Sequence, residues 1–327
     1  MIPLRRQLVG AGLALLALSP GASRISSAQS RQVRIGYLAP RQGSTFLAPI
    51  LKRLGELGYV EGKNLVVDYR SADGVAERFP LLARDLMRAK CDLIFAVGPE
   101  QSARAVLEAK AGVPVVILAV DYDPVKAGLI ASLQRPGGNV TGMVLLQPIL
   151  AAKRLELLRE VVPRAKRILV LADPFTTEQL EAIRQAAGKL RAEIVVETFA
   201  APPYDFAAAF ARGVAAGTEV VLPLNSPVLT DQRMNIFKLT MKHRLPSMGN
   251  DARYAEAGHL LSYGVNTTTV FVRAGDIAVS ILKGAKAGDL PVEQPTEFEL
   301  VVNLKTAKAL KISIPQSVLL RANRVIE

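Results

Sequence analysis

The feature that most constrains the fold of this chain is an internal repeat with an offset of about 130 residues. The segment "NLVVDYRSADGVAERFPLLARDLMRAKCDLIFAVGP", from Asn64, matches in pattern the segment "EIVVETFAAPPYDFAAAFARGVAAGTEVVLPLNSP", from Glu193. Each runs through a strand, a loop, a helix entered near an aromatic residue (Phe79 or Phe206), an apolar strand and a Pro-containing turn. The flanking segments also pair, "VRIGYLAP" with "RILVLADP" and "VPVVILAVDYDPVKAGLI" with "LPSMGNDARYAEAGHLL". Each half is therefore predicted to alternate strands and helices.

The predicted strands are short, apolar throughout and separated by helices, which is typical of parallel sheets covered on both faces. With 327 residues, 50% of them hydrophobic, the chain can bury two ordinary cores. The fold class predicted is α/β, with two doubly wound parallel-sheet lobes. Ligands in such sheets bind beyond the carboxyl ends of the strands, so the loops after the strands are the place to look for a site.

The last part of the chain does not form a third repeat, because one helix, near 268–287, is followed by another extended segment. We expect three crossings between the lobes, which together make a hinge. They are predicted near Thr141 to Gln147, Leu260 to Val265 and Phe298 to Asn303. The predicted division is a signal peptide at 1–28, lobe one at 32–143 plus 262–296, and lobe two at 144–261 plus 297–327.

The amino terminus reads as a secretory signal that is cleaved after Ala28. Arg5 and Arg6 precede an apolar run from Leu8 to Leu18, which is too short to span a bilayer, and a small-residue site follows. No cysteine follows this run, so a lipoprotein anchor is not expected. The prediction is a free periplasmic protein, with the Sec and Tat routes both open.

Charge and cysteine content exclude other classes. Removing Arg5, Arg6 and Arg24 from a formal charge of +12 leaves +9, but the basic residues are spread along helices without a nucleic-acid-binding motif, and no nucleic-acid partner is expected. Cys91 is the single cysteine, so no internal disulfide forms, and its apolar strand predicts burial as a small hydrophobe.

No catalytic, cofactor or metal motif is present. The two histidines, His243 and His259, lie in no HExxH or nucleophile-elbow pattern. The loop "GYLAPRQGST" lacks the glycine pattern of a dinucleotide site. The chain is predicted not to be an enzyme and to need no cofactor or metal; hydrolysis of a glycoside by paired aspartates is the remaining enzymatic alternative.

Seven segments resemble one protein family, the ABC-transporter substrate-binding proteins of the tryptophan/tyrosine-binding type. These segments are "GYVEGKNLVVDYR", "RPGGNVTG", "KRLELLREVVP", "HRLPSM", "YAEAGHLLSYG", "DLPVEQPTEFELVVNLKTAKAL" and "IPQSVLLRANRVIE". The resemblance implies a type I periplasmic-binding-protein fold that delivers a small solute to an inner-membrane ABC permease with its ATPase. An amino acid or a related compound is the predicted solute, with a sugar or a nucleoside as the alternative, and the protein is predicted to be a monomer.

The chain departs from this family at two loops. Relatives carry a small hydroxyl residue where Gly98 precedes Pro99, and a single Gly-Asp-Pro where this chain has Asp121, Tyr122 and Asp123. Gly98 removes a side-chain hydrogen-bond donor, and Tyr122 brings an aromatic ring to the cleft.

Carboxylates and amides at matched strand ends are the main candidates for ligand contacts. Asp121 and Asp251 follow equivalent strands in the two halves, so they are predicted to hold an ammonium group or hydroxyls; the alternative is that they cap helices. The helix after Pro99 offers unpaired N–H groups to a carboxylate or another polar group, and Asn225 with Ser226 is its counterpart in the second half. The residues predicted to contact the ligand are Gly43, Ser44, Gly98, Pro99, Glu100, Gln101, Asp121, Tyr122, Asp123, Asn225, Ser226, Asn250, Asp251 and Tyr263.

For three of these positions a structural role stays open beside the ligand contact. Ser44 and Ser226 each stand where a helix N-cap is expected. Tyr263 lies on a proposed crossing, where it either lines the cleft or braces the hinge.

Overall fold

Strands and helices alternate along the chain, as the repeat predicts, in the computed structural model, which describes residues 32–42, 47–109 and 112–327. The strands are β1 (Val33–Ala39), β2 (Leu65–Ser71), β3 (Leu93–Gly98), β4 (Val115–Ala119), β5 (Val140–Val144), β6 (Arg167–Ala172), β7 (Glu193–Thr198), β8 (Val220–Pro223), β9 (Met248–Gly249), β10 (Leu261–Val265), β11 (Val292–Glu293), β12 (Phe298–Asn303) and β13 (Arg324–Ile326). The helices are α1 (Leu47–Glu56), α2 (Phe79–Arg88), α3 (Glu100–Glu108), α4 (Gln147–Val161), α5 (Thr177–Lys189), α6 (Phe206–Ala215), α7 (Pro227–Asp231), α8 (Arg233–Lys242), α9 (Ala252–Glu256), α10 (Thr267–Leu282), α11 (Leu304–Leu310) and α12 (Gln316–Leu319). The predicted signal peptide, residues 1–28, lies outside the described residues.

The first sheet is entirely parallel, with the strand order β2-β1-β3-β4-β5-β11. Successive side chains of β3 serve opposite faces: Phe95 packs in the core that includes residues of α1 and α10, and Ile94 in the core that includes residues of α2 and α3. Because both faces are covered, every residue of β3 is buried. This sheet with α1, α2, α3 and α10 is called the first lobe below.

The second sheet repeats the first. Strand β6 lies between β7 and β8, as β1 lies between β2 and β3, and all of these pairs are parallel. A parallel bridge between Val221 and Ser247 continues this sheet from β8 to β9, β10, β12 and β13, and only β10 and β12 pair antiparallel. This sheet with the remaining helices is called the second lobe. The doubly wound architecture predicted from the repeat is thus present in both halves.

The chain passes between the two sheets three times, at 145–146, at 266 and at 294–297. Strands β10 and β12 were expected to be crossings themselves, but both belong to the second sheet over their whole length. The boundary predicted after residue 261 therefore falls four residues short of the strand end at Val265. The division of the chain into two domains otherwise stays a prediction.

Helix α10 ends at Leu282, five residues before the predicted end. Gly284 follows with a φ of +104°, a conformation that favours glycine and that commonly terminates helices. The glycine thus ends the helix before the predicted position.

A buried arginine connects the crossings. Arg154 of α4 is fully buried; its Nε donates to the carbonyl oxygen of Tyr263 at 2.7 Å, and its Nη2 donates to Oε1 of Gln147. Burial lowers the pKa of Arg154 to about 10. Tyr263 in turn stacks on Phe298, with ring centroids 6.2 Å apart. These four side chains tie together the residues that flank all three crossings.

Cys91 is buried, as predicted, and desolvation raises the pKa of its thiol to about 11.

None of the helices in the described part of the chain has both the length and the apolar character needed to cross a bilayer.

Candidate functional site

A cleft of about 660 Å³, partly open to solvent, lies between the carboxyl ends of the strands of the two lobes. This is the position at which doubly wound sheets bind ligands. Its lining residues come from the ends of β1, β3, β4, β5 and β8 and from α7, α9 and α10. They are Ala39, Pro40, Arg41, Gln42, Val97, Gly98, Val120, Leu145, Asn225, Pro227, Asp231, Asp251, Arg253, Thr267 and Phe271.

Two ion pairs give the cleft both signs of charge. Arg41 of the first lobe donates from Nε to Oδ2 of Asp231, in the second lobe, at 2.6 Å. Arg253 pairs with Asp251 within the second lobe through two bonds, Nε to Oδ1 at 3.0 Å and Nη2 to Oδ2 at 2.5 Å. Two cations and two anions make the cleft close to neutral overall, which suits a guest that carries both charges.

The rest of the cleft wall is mostly apolar. Val97, Val120, Leu145 and Phe271 line it. Gly98 is required beside them, because its φ is +103° and an added Cβ would lie 2.6 Å from Cγ of Pro40. An apolar wall with a few charged groups is the usual composition of a site for a small organic molecule.

Asp121, which was predicted to hold an ammonium group, has partners in the opposite lobe. It follows β4, and its carboxylate accepts the backbone N–H of Glu178 at 3.0 Å and that of Gln179 at 2.9 Å, at the start of α5. It is 5% exposed and does not line the cleft. Burial raises its pKa to about 7, and the hydrogen bonds from Gln179 and Glu178 oppose that rise. Asp121 thus caps a helix, but one in the other lobe.

Asn225 and Ser226 have different roles. Asn225 lines the cleft, while its backbone N–H and carbonyl are bound by the side chain of Gln179 at 2.8 and 3.0 Å. Ser226 is fully buried; its hydroxyl donates to Asp173 and accepts N–H groups at the start of α7. Burial raises the pKa of Asp173 to about 6. Ser226 therefore has the capping geometry that was the alternative to a ligand contact.

Asp251 combines both predicted roles. Its Oδ1 accepts the backbone N–H of Arg253 as the N-cap of α9, and the same carboxylate lines the cleft. The neighbouring Asn250 is 1% exposed and does not line the cleft. Burial raises the pKa of Tyr254, which lies near Thr230 and Asn250. Asn250 thus lies beside a buried polar cluster.

The start of α3 does not turn its charged residues to this cleft. Glu100 pairs with Arg104 one turn along the helix, with Nε to Oε1 at 2.8 Å, and Gln101 is exposed. Pro99 is the N-cap residue and offers no side-chain bond. Of the four residues predicted at this loop, Gly98 is the one that lines the cleft.

A second cavity, of about 920 Å³, lies beside the first crossing. Glu100, Tyr122 and Asp123 line it, together with Glu178 of the second lobe. Tyr122 is buried in the core on the α2 and α3 side, and Asp123 accepts the backbone N–H groups of Val125 and Lys126, at 2.9 and 3.3 Å, in its own loop. Tyr122 thus lines this second cavity and not the cleft.

Two predicted sites remain. Tyr263 has the bracing geometry at the hinge and does not line the cleft. Gly43 and Ser44 lie outside the described residues.

Sequence reasoning missed twelve of the fifteen residues that line the cleft. Four of these are charged or aromatic: Arg41, Asp231, Arg253 and Phe271. Arg41 carried a usable signal, because it stands two residues after the end of β1. The other three lie on helices, where a charged or aromatic residue is ordinary.

The lobes also touch beside the cleft. Phe175 of the second lobe packs in the core of the first, edge-to-face on Phe79, with ring centroids 6.4 Å apart at 70°. Together with the bonds of Asp121 and the pair of Arg41 with Asp231, this contact holds the lobes together over the cleft.

Comparison with known proteins identifies relatives over most of the chain. The family "ABC transporter substrate binding protein" matches residues 45–326. A tyrosine-binding protein of Clostridioides difficile (strain R20291) is 29% identical over 263 residues, which cover 80% of this chain and 74% of the relative.

Two solved structures have the same architecture. The ABC domain from Streptococcus pneumonia in complex with L-Trp is 27% identical, with a TM-score of 0.76 over 90% of this chain and 100% of the other. A ligand-free, open substrate binding protein with adhesive properties from Clostridium difficile is 25% identical, with a TM-score of 0.61 over 90% of this chain and 99% of the other. The type I periplasmic-binding-protein fold predicted from the sequence is confirmed. This chain belongs to the family of ABC transporter substrate-binding proteins.

Proposed function

We propose that this protein binds an amino acid with an apolar side chain and delivers it to an ABC importer. The observation that carries the proposal is the pairing of two cations with two carboxylates in a cleft whose remaining wall is mostly apolar. A zwitterionic amino acid presents the same combination: a carboxylate for an arginine, an ammonium group for an aspartate, and a side chain for the apolar wall.

The ion pair of Arg41 with Asp231 has further atoms that can form hydrogen bonds with a zwitterionic amino acid. Within the described residues, Nε is the one side-chain nitrogen of Arg41 that makes a hydrogen bond, and Oδ2 is the one carboxylate oxygen of Asp231 that accepts one. The Nη nitrogens of Arg41 are thus left for the solute carboxylate, and Oδ1 of Asp231 for its ammonium group. Gly98, Asn225 and Asp251 are the predicted site residues that line the same cleft, and we propose that they contact the solute.

The relatives support an amino acid. One is a tyrosine-binding protein, and one was solved with L-Trp. The TM-score is higher against the L-Trp complex, 0.76, than against the ligand-free, open structure, 0.61, although the sequence identities are similar. This difference supports a closed arrangement of the lobes in the present structure.

A thermal-shift screen followed by calorimetry tests the proposal. The panel is L-tryptophan, L-tyrosine, L-leucine, a nucleoside and a sugar. A solute that binds only the folded protein stabilises it by about 2.7 kcal/mol at a hundredfold excess over Kd, so the melting temperature rises. A rise with a sugar or the nucleoside alone would favour the alternative solute class, and turnover of the bound compound would favour a hydrolase.

The matched pair Arg41→Gln and Arg167→Gln locates the carboxylate contact. Both arginines are half-exposed and paired with one carboxylate, but Arg167 bonds to Glu193 at the start of the β6–β7 pair, away from the cleft. Loss of a charge-assisted hydrogen bond costs about 1.5–3 kcal/mol, or roughly ten- to a hundredfold in affinity. We expect that loss for Arg41→Gln and none for Arg167→Gln; equal affinities would place the solute carboxylate elsewhere.

We further propose that the protein is exported, acts as a monomer and docks on an inner-membrane permease with its ATPase. The signal-like amino terminus and the family support this location. Cell fractionation followed by amino-terminal sequencing checks it: the expected mature protein starts at Gln29 in the periplasmic fraction. Light scattering on that material checks the monomer.

A further inference from the structure

Helix α5 begins without a cap from its own lobe. The first N–H groups of a helix have no partner within it, and the preceding Ser or Thr commonly accepts one of them. Here the hydroxyl of Thr176 is used within its own loop: it accepts the N–H of Asp173 at 3.0 Å and donates to the carbonyl of that residue at 2.9 Å. The N–H groups of Glu178 and Gln179 are left for Asp121, which reaches them from the first lobe.

Gln179 connects the contact with Asp121 to the wall of the cleft. Its side chain is fully buried, and its amide binds both the N–H and the carbonyl of Asn225. One residue therefore touches the first lobe through its backbone and the cleft wall through its side chain.

We propose that Asp121, Gln179 and Asn225 form a relay that couples closure of the lobes to the shape of the solute cleft, with Asp121 as a positioning residue that does not touch the solute. The inference rests on the proposed function, because it takes the cleft as the solute site. Asp121 raises affinity by favouring the closed form.

The N–H groups at the start of α5 differ in their access to water between the open and closed forms, and this difference explains how Asp121 raises affinity. In an open form water reaches the N–H groups of Glu178 and Gln179, so they need no carboxylate. In the closed form the N–H of Gln179 is buried and that of Glu178 is partly buried, and an N–H that is buried without an acceptor is unfavourable. Removing Asp121 thus destabilises the closed form alone. Apparent affinity falls with the fraction of protein that can close, whichever solute is bound.

The test compares Asp121→Ala with Asp205→Ala. Asp205 is a matched control, because its carboxylate also caps a helix of the second lobe, accepting the N–H of Ala208 at 2.9 Å, but it lies in that lobe itself. Calorimetry with L-tryptophan, L-tyrosine and L-leucine measures affinity, and small-angle scattering without solute measures the radius of gyration. Melting temperatures confirm that each variant is folded; if Asp121→Ala is not, Asp121→Asn takes its place.

We expect Asp121→Ala to weaken every amino acid that binds by the same factor, about tenfold, and to increase the radius of gyration of the solute-free protein. Asp205→Ala should change neither. A factor that differs between the amino acids would show that Asp121 touches the solute, and unchanged affinities would show that it does not govern closure; either result overturns the relay. If none of the three amino acids binds the wild type, the proposed function fails, and the scattering comparison alone then decides on the relay.

Discussion

Two of the contacts that join the first lobe to the second around the cleft differ in their exposure to water. The ion pair of Arg41 with Asp231 is open to solvent, with side chains 34% and 46% exposed. Of the hydrogen bonds from α5 to Asp121, the one from Gln179 is buried and the one from Glu178 is partly buried. An exposed ion pair contributes little to stability, because water and salt replace it readily. A buried donor has no such replacement. The exposed contact can therefore be exchanged for a solute, while the buried one reports whether the lobes are closed.

The largest effect should come from removing the buried hydrogen bonds between the side chain of Gln179 and the backbone of Asn225, next to the contact with Asp121. Gln179→Met keeps the length of the side chain but leaves the backbone N–H and carbonyl of Asn225 without partners. We expect the free energy of unfolding to fall by about 2–4 kcal/mol, measured by urea denaturation. Gln185→Met is the control on the same helix: its side chain is exposed and bonds only to Glu181, so we expect a change within about 0.5 kcal/mol. Equal losses in the two variants would contradict the buried role of Gln179.

A smaller effect should follow pH. The pKa of Asp121 is raised from 3.8 to about 7 in the folded protein. The unfolded chain therefore releases this proton first, so the stabilisation is complete below the unfolded pKa and is lost as pH rises through 7. Between pH 5 and pH 8 the free energy of unfolding of the wild type should fall by about 2–3 kcal/mol through this carboxyl.

Asp121→Asn isolates that contribution, because the other titrating groups are common to both proteins. His259 is one of them: burial lowers its pKa to about 4, which weakens the fold in the opposite direction, as pH falls below 6.5. Denaturation of both proteins at pH 5 and pH 8 should show the stability of the wild type relative to the variant decreasing with pH. A constant difference would mean that Asp121 keeps its ordinary pKa.

The smallest effect should come from the exposed contact. Asp231→Asn removes the ion pair with Arg41, and we expect the free energy of unfolding without solute to change by less than about 1 kcal/mol. Glu193→Gln, which removes the exposed pair with Arg167, should behave alike. A loss from Asp231→Asn as large as that from Gln179→Met would remove the distinction between the two contacts.

The sequence predicted the architecture because the repeat fixes the order of strands and the apolar pattern fixes their burial. It also predicted that Gly98, Asn225 and Asp251 lie at strand ends, where they line the cleft. It did not predict the partners of Asp121, because a residue two positions after β4 can cap its own helix, bind a solute or reach the opposite lobe. The distance between the two lobes decides which of these three roles Asp121 has.

The same limit applies to the charged residues of the cleft. Asp231 and Arg253 lie on short helices whose position depends on how the two sheets face each other. For strand β10 the ends were predicted closely, but the sheet partner was not. Its pairing with β12 depends on a segment more than 30 residues further along the chain.

Because Cys91 is buried, the protein is suited to labelling with a fluorophore at one chosen position. It is the only cysteine in the sequence, and with a thiol pKa of about 11 and a buried side chain it reacts poorly with maleimides near neutral pH. A second cysteine introduced at the rim of the cleft, for example in place of Gln42, would then be the one site that takes a fluorophore. The natural protein thus needs no cysteine removal before it is made into a fluorescent reporter of its solute.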